Sequence, residues 1–318
     1  MRVGIDLMGS DRSPNDLFLA VLKAACRLDA THQLEVLATQ EVIDQLVPLV
    51  QQGHLSDQTA SITFYQVSTL ISMDDDPRSA CLHKKDSSLF MGVERLKNKK
   101  IDAFVSCGNT GALITAACLL IPRLSGIKRP ALLLSLPTER GEISVLDVGG
   151  NLHVTSQSYV EWALLGAAFH KATKAVLKPK VGLLNIGTES KKGTKTLRAA
   201  YQSLMAMSNS AFVPIEFIGN IEAYDVFKGN VDVLVTDGFT GNVFLKAAEG
   251  VASFIFNSIA LPSEFKKRFS YEEYPGALIC GIDAIILKAH GKGSIQSLFN
   301  TILQAVSYVR LNLPSNLG

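Results

Sequence analysis

Nine short runs of β-branched and aliphatic residues recur along the chain: RVGIDL, LEVLA, ITFYQV, IDAFVS, PALLLSL, ISVLDVG, KVGLLNIG, IEFIGN and VDVLVT. They are largely continuous in apolar character rather than alternating. A strand of that kind is buried on both faces, which calls for a mostly parallel sheet covered by helices. Helix-length segments separate the runs, among them 17–28, 41–50, 158–172 and 243–259. The class predicted is therefore α/β.

At 318 residues the chain is longer than most single cores, yet no Pro/Ser-rich linker or low-complexity tract divides it. One α/β/α domain over 1–318 is expected, with two soft sub-lobes meeting near residue 130. The 47% hydrophobic content supplies an ample core. The longest apolar run, GALITAACLLIP at 111–122, falls short of the roughly 20 residues of a membrane span and reads as a buried helix.

Thirty-one basic residues against 29 acidic ones leave a net charge of +2, so no global field points to nucleic acid. Any preference for anions must come from local clusters. The cysteines (Cys26, Cys81, Cys107, Cys118 and Cys280) are odd in number and form no CxxC. That disfavours a disulfide framework or structural zinc and fits a reducing cytoplasm. The opening MRVGIDLMGSD, broken by Asp6 and Asp11, does not read as a signal peptide.

In open α/β sheets ligands sit outside the carboxyl ends of the strands. Unusual turns follow strands there: DLMGSD, SCGNTGA, LDVGGN, NIGTESKKGT and TDGFTGN. Two of them echo each other. IDAFVSCGNTGAL at 101–113 and VDVLVTDGFTGNV at 231–243 share an apolar run, a Gly-x-Thr-Gly turn and an apolar restart.

Glycine allows a tight turn and close approach of a ligand, Thr110 or Thr240 can cap the helix that starts, and a helix N-terminus offers free N–H groups to an anion. The expectation is that the two turns hold one anionic reactant between them. The same tetrapeptide also serves as a plain strand-to-helix connection, an explanation that its recurrence weakens. Neither copy is GxGxxG, and GxxxxGK[ST] is absent, so a small anion such as inorganic phosphate fits better than a dinucleotide or nucleoside triphosphate.

Lys191 and Lys192, between the glycines of NIGTESKKGT, have the charge to neutralise a phosphate or a developing oxyanion; solvated surface lysines are the plainer reading. Lys84 and Lys85 meet the same alternatives. Asp237 can orient a group or cap a turn. His290, in the Gly-rich KAHGKGS, can donate a hydrogen bond or proton. The remaining histidines lack metal-ligand spacing. Cys107 stands where a nucleophile would, but its counterpart in the echo is Asp237, so the architecture does not require a thiol.

Taken in order, DLMGSD, SCGNTGA, GIKRPAL with LPT, LDVGGN, VGLLNIGTESKKG, FIGNIEA, VTDGFTGNVFLK with EG, and KAHG resemble the bacterial phosphate acyltransferases that act on acyl-acyl-carrier protein. The resemblance runs from residue 1 to about 310. It implies a three-layer Rossmann-like α/β/α sandwich with a mostly parallel sheet, similar to phosphate acetyltransferases and isocitrate-type dehydrogenases. The implied activity is transfer of a long-chain acyl group from the carrier-protein thioester to inorganic phosphate. Acyl phosphate for phosphatidic acid synthesis would result, for use by a downstream glycerol-3-phosphate acyltransferase. A cytoplasmic homodimer without metal, nucleotide or other cofactor is implied.

On this reading the phosphate is cradled by Gly108, Asn109, Thr110 and Gly111, by Gly238, Thr240, Gly241 and Asn242, and by Thr188 and Lys191. Lys192 supplies charge, Asp237 orients, and His290 or an amide side chain polarises the carbonyl or protonates the leaving thiolate. The alternatives are a short-chain enzyme using acyl-coenzyme A and a non-catalytic lipid-binding protein on the same fold.

Three departures from the family pattern stand out. Tyr224 occupies a place where many members carry Arg, HGKGS replaces the usual HGSSD, and the stretch 250–275 is short. That stretch still sets Phe254, Ile255, Phe256 and Ile259 beside Lys266, Lys267 and Arg268. Such an apolar-then-basic segment could meet an anionic bilayer peripherally, bind the acidic carrier protein, or pack a dimer.

Overall fold

A computed structural model describes residues 1–53, 55–210, 213–259, 262, 274–289 and 293–317. Strand and helix alternate as β1 (Arg2–Asp6), α1 (Pro14–Arg27), β2 (Gln33–Thr39), α2 (Gln40–Gln52), β3 (Ser61–Val67), α3 (Pro77–His83), α4 (Ser88–Lys97), β4 (Ala103–Ser106) and α5 (Thr110–Leu120). The chain continues through β5 (Ala131–Thr138), β6 (Gly141–Leu146), α6 (Ser156–Lys174), β7 (Lys180–Leu184), α7 (Lys195–Ser208), β8 (Glu216–Ile221), β9 (Val233–Val235) and α8 (Gly238–Ser258). It closes with β10 (Ala277–Cys280), β11 (Ile286–Lys288), α9 (Ile295–Arg310) and α10 (Leu313–Leu317).

Two compact units emerge. The first comprises the described residues of Met1–Pro122 and Glu272–Asn312, the second those of Arg123–Tyr271 and Leu313–Gly318. In the first unit the strand order is β3-β2-β1-β4-β11-β10, parallel throughout except for the antiparallel β10–β11 pair. In the second it is β5-β6-β9-β7-β8, again parallel except for β5–β6, a hairpin turned at 139–140. PALLLSL and ISVLDVG are therefore neighbours in a hairpin, with no crossover helix between them.

The apolar runs are buried as their composition requires. Every residue of β4, AFVS, and of β9, VLV, is inaccessible to solvent. Phe18, Phe104, Trp162 and Phe169 are the largest wholly buried side chains. Close packing explains Gly92: a Cβ there would lie 2.1 Å from the Phe104 ring.

The helices begin on polar caps. Ser13, Asp76, Ser87, Asn109, Thr155, Thr194, Asp237 and Ser294 each accept a first-turn backbone N–H. α8 consequently starts at Gly238, five positions before the predicted 243–259 segment. α5 is apolar but not wholly buried, with Ala112, Leu113, Ala116 and Ala117 inside and Leu119 59% exposed. Among the described residues no helix is long and apolar enough to cross a membrane.

Candidate functional site

In the first unit three adjacent strands end in register. Asp6, closing β1, stands opposite Ser106, closing β4, and Ser106 stands opposite Lys288, closing β11. All three are buried. Ser106 Oγ donates to Asp6 Oδ2 at 2.7 Å and accepts the Gly108 N–H at 3.1 Å. Lys288 Nζ donates to the Cys107 carbonyl at 3.3 Å and to the Ala289 carbonyl. Burial pushes the Asp6 carboxyl up to about 6, opposed by hydrogen bonds from Ser106 and the Met8 N–H and by the charge of Lys288.

The turn built on this row leads into α5. Asn109 Oδ1 accepts the Ala112 N–H at 3.1 Å, and its Nδ2 donates to the carbonyls of Ser72, Met73 and Asp75 at 3.1, 3.2 and 3.2 Å. The side chain thus ties the helix start to the 72–76 loop. That loop is fastened again by Asp75, whose Oδ2 accepts the Ser72 N–H at 2.7 Å and Lys84 Nζ at 2.6 Å. Lys84 holds the Asp75 carboxyl below its usual range and is itself paired.

Gly111 is required by contact: a Cβ would stand 2.6 Å from Pro77 Cγ. The N–H groups of Thr110 and Gly111, the first two of the helix, have no partner among the described residues. Both residues are half-buried. Two open donors at the positive end of a helix form an anion-binding feature. Cys107 is buried and its thiol is pushed up to about 12 by burial, so no thiolate is present at neutral pH.

A cleft of about 580 Å³ shares Ser72 and Met73 with the loop that Asn109 holds, and its lining mixes apolar Leu7, Met8, Val42 and Leu70 with charged Asp11, Arg12 and Glu41.

The second turn lies in the second unit and is built differently. Gly238 and Gly241 are set by contact with the loop after β6. A Cβ at 238 would meet Asn151 N and O at 2.7 Å, and one at 241 would meet the Asp147 carbonyl oxygen at 1.9 Å. Gly238 N donates to Asn151 O at 2.8 Å. Asp237 caps the helix, Oδ1 accepting the Thr240 N–H and Oδ2 the Thr240 hydroxyl, each at 2.8 Å; Tyr159 OH donates to Oδ2 at 3.4 Å. Burial, then the charge of Asp237, push the Tyr159 hydroxyl pKa up. Phe239, Thr240 and Asn242 are exposed.

Beneath this turn is a wholly buried carboxylate. Asp147 Oδ1 accepts the N–H groups of Leu132, Gly149 and Gly150 at 2.9, 3.2 and 2.9 Å. Its Oδ2 accepts the N–H of Asn151 at 2.7 Å and Asn151 Nδ2 at 2.8 Å. Burial pushes its pKa up, while the donors facing both oxygens favour the ionised form.

In the same unit, the 185–194 loop turns on Gly187 and Gly193, the latter at φ +84°. Asn185 closes it by donating from Nδ2 to the Lys192 carbonyl at 3.2 Å, and Asn220 Nδ2 holds the Glu189 carbonyl at 2.9 Å. Thr188, Lys191 and Lys192 are exposed, and neither lysine forms an ion pair among the described residues.

The sequence-predicted residues thus fall into two groups. Gly108, Asn109, Thr110 and Gly111 share one turn of the first unit. Asp237, Gly238, Thr240, Gly241 and Asn242 share a turn of the second, which also carries Thr188, Lys191 and Lys192 on another loop. His290 lies outside the described residues, as do Lys266, Lys267 and Arg268. Tyr224 is exposed and carries Lys228 Nζ 4.4 Å from its ring centroid.

Sequence reasoning passed over Asp6, Ser106, Lys288 and Asp147. Asp6, Ser106 and Asp147 stand in quoted strand-end segments, so position was a signal for them, whereas Lys288 ends a strand that the apolar runs did not reveal; the shared register and hydrogen bonds are not visible in one dimension. Among the described residues no cluster of three or more His, Cys, Asp or Glu could hold a metal.

The profile of a family described as "Fatty acid synthesis protein" matches residues 1–262. A protein of Chlamydia abortus named phosphate acyltransferase is 40% identical, covering 98% of this chain and 96% of its own. One of the same name from Brevibacillus brevis is 36% identical, covering 98% and 94%. Among solved structures, a phosphotransacetylase from Streptococcus pyogenes superposes with a TM-score of 0.64 at 17% identity, covering 98% of this chain and 94% of that one, a likeness of fold.

Proposed function

Because the chain belongs to the phosphate acyltransferase family, matched over nearly its whole length, we propose that it transfers a long-chain fatty acyl group from acyl-acyl-carrier protein to inorganic phosphate. The products are acyl phosphate and the free carrier thiol, and the acyl phosphate feeds phospholipid synthesis through an acyltransferase acting on glycerol 3-phosphate. The observation that carries the reading is 36–40% identity to proteins named phosphate acyltransferase over 98% of the chain.

Phosphate is anionic at neutral pH and needs positioning more than a strong base, while the thioester carbonyl needs donors for its tetrahedral oxyanion. The open Thr110 and Gly111 N–H groups supply fixed donors for the phosphate, with Gly108 allowing close approach. Asn109 acts by holding that helix start on the 72–76 loop. The neighbouring cleft, with apolar Leu7, Met8, Val42 and Leu70 beside the Arg12 guanidinium, supports placing a reactant there that carries both an acyl chain and an anionic group.

In the second unit, Lys192 provides charge for phosphate or oxyanion, with Lys191 and Thr188 beside it on the loop. Thr240 and Asn242 present polar groups at the exposed α8 start, and Asp237 fixes that start with Gly238 and Gly241 packed beneath. His290 is the proposed donor to the carbonyl or the leaving thiolate. The exposed Phe239, Val243, Val251, Phe254, Ile255 and Ile259 of α8 and its end support a protein or membrane contact, and we assign the face to a homodimer.

The test is incubation with long-chain acyl carrier protein and labelled phosphate, trapping product as the hydroxamate with hydroxylamine. A coenzyme A thioester runs in parallel. Acyl phosphate from the carrier-protein donor is expected. Product from coenzyme A thioesters alone would replace the donor, and none from either would leave a non-catalytic lipid-binding protein.

A further inference from the structure

We propose that Asp6, Ser106 and Lys288 are positioning residues for anion binding: they clamp both edges of the peptide group joining Cys107 to Gly108 and so aim the Thr110 and Gly111 N–H groups. The inference rests on the reading of that turn as the phosphate site.

The clamp follows from the register. Consecutive parallel strands bring Asp6, Ser106 and Lys288 abreast at their carboxyl ends, one row beneath the turn. Each edge of the peptide group between Cys107 and Gly108 is held by a different charge. On one side the Gly108 N–H donates to Ser106 Oγ, whose own proton is committed to Asp6 Oδ2 at 2.7 Å. A hydroxyl that must donate to a carboxylate turns its lone pairs to the N–H, so the carboxylate fixes the direction of the whole chain of bonds. On the other side Lys288 Nζ grips the Cys107 carbonyl at 3.3 Å.

There is no slack in this arrangement. A Cβ on Gly108 would lie 3.3 Å from Asp6 Oδ2 and 3.4 Å from Ser106 Oγ. The Cys107 N–H is itself bonded to the Asp6 carbonyl at 3.1 Å, and the Ala289 N–H to the Ser106 carbonyl at 2.9 Å. Two residues beyond Gly108 come the open donors. A small rotation at 107–108 swings them off a common point, and a misplacement of about 1 Å at a reacting group can cost on the order of 10²-fold.

Burial of an ion-bearing row costs stability, and the core would be simpler with apolar residues here. A purely structural sheet edge has no need of a carboxylate and an ammonium that each end on the same three-residue segment. The charged and titratable groups acting on Asp6 from neighbouring elements are Lys288 of β11 and, just past β4, the Cys107 thiol, which stays neutral.

Inorganic phosphate binding, measured by isothermal titration calorimetry on the full chain, tests this without the acyl donor. Ser106→Ala breaks the chain between Asp6 and Gly108; its phosphate Kd should rise about tenfold, the size of one hydrogen bond to a charged group. Ser106→Thr, which keeps the hydroxyl, should restore most of the affinity. In turnover, Ser106→Ala should raise the phosphate KM and leave the thioester KM within about twofold, a split that general loosening of the fold would not give.

A folded Ser106→Ala protein with wild-type phosphate affinity overturns the inference and leaves the proposed reaction standing. Equal weakening by Ala and Thr also overturns it. If wild-type protein binds no phosphate, the turn assignment and the inference fall together. If it binds phosphate but forms no acyl phosphate, the reaction falls while the clamp is judged on affinity alone.

Discussion

Replacing Gly241 by Ala adds one methyl group at the point where α8 meets the loop after β6. The ideal Cβ would stand 1.9 Å from the Asp147 carbonyl oxygen and 2.8 Å from Thr236 Cγ2. That is about 1.5 Å short of an ordinary C–H···O separation. Asp147 is poorly placed to yield: its side chain accepts bonds from Leu132, Gly149, Gly150 and Asn151, and its N–H is bonded to Thr236 O at 3.0 Å. Overpacking of this kind costs about 1–3 kcal/mol or more, and the backbone contact puts the figure at the upper end. The better helix propensity of Ala returns about 1 kcal/mol, leaving a net loss of about 2 kcal/mol.

The same substitution at Gly250, in the same helix, meets nothing within 4 Å and should stabilise by about 0.5–1 kcal/mol. Urea unfolding of both variants, compared by midpoint, makes the check. Opposite signs are expected. A Gly241→Ala midpoint at or above that of wild type, or equal shifts for the two, would refute the packing account of the second Gly-x-Thr-Gly turn.

Three further outcomes are expected. Asp6 has a folded-state pKa of about 6 against an ordinary value of 3.8, so the folded protein binds its proton more tightly. Its contribution to stability is full below about pH 4 and is lost as pH rises to about 6, some 3 kcal/mol by linkage; the wild-type minus Asp6→Asn difference in unfolding free energy should fall across that window, and a flat difference would contradict the assigned burial. Asp147→Asn sets an amide NH₂ against N–H donors and should cost about 2–4 kcal/mol in denaturant titrations. Lys192→Ala should raise the phosphate KM by roughly tenfold with folding intact by circular dichroism, one charge-assisted hydrogen bond being lost; unchanged phosphate saturation would remove Lys192 from the site.

The order of strands and helices was legible in one dimension because apolar runs and capping residues are local signals. IDAFVS became β4 and KVGLLNIG became β7; at the two echoed turns the caps are Asn109 and Asp237 and not the expected Thr110 and Thr240, which already lie inside their helices. The β10–β11 pair, whose strands are only four and three residues long, gave too short a run to stand out. The antiparallel turn of β5 into β6 was hidden because buried strands look alike whichever way they run.

What the sequence determined, then, was the α/β class, the places where strands give way to helices, and a set of ordered motifs sufficient to indicate the family. Tertiary structure alone decided why the glycines of the two echoed turns are needed. Gly111 clears Pro77, whereas Gly238 and Gly241 clear the backbone of the 147–151 loop, so equal strings serve different contacts. It also gathered Asp6, Ser106 and Lys288, separated by 100 and 182 positions, into one row. Register between distant strands is fixed by cooperative burial and backbone pairing across the whole sheet, and no local pattern of residues encodes it.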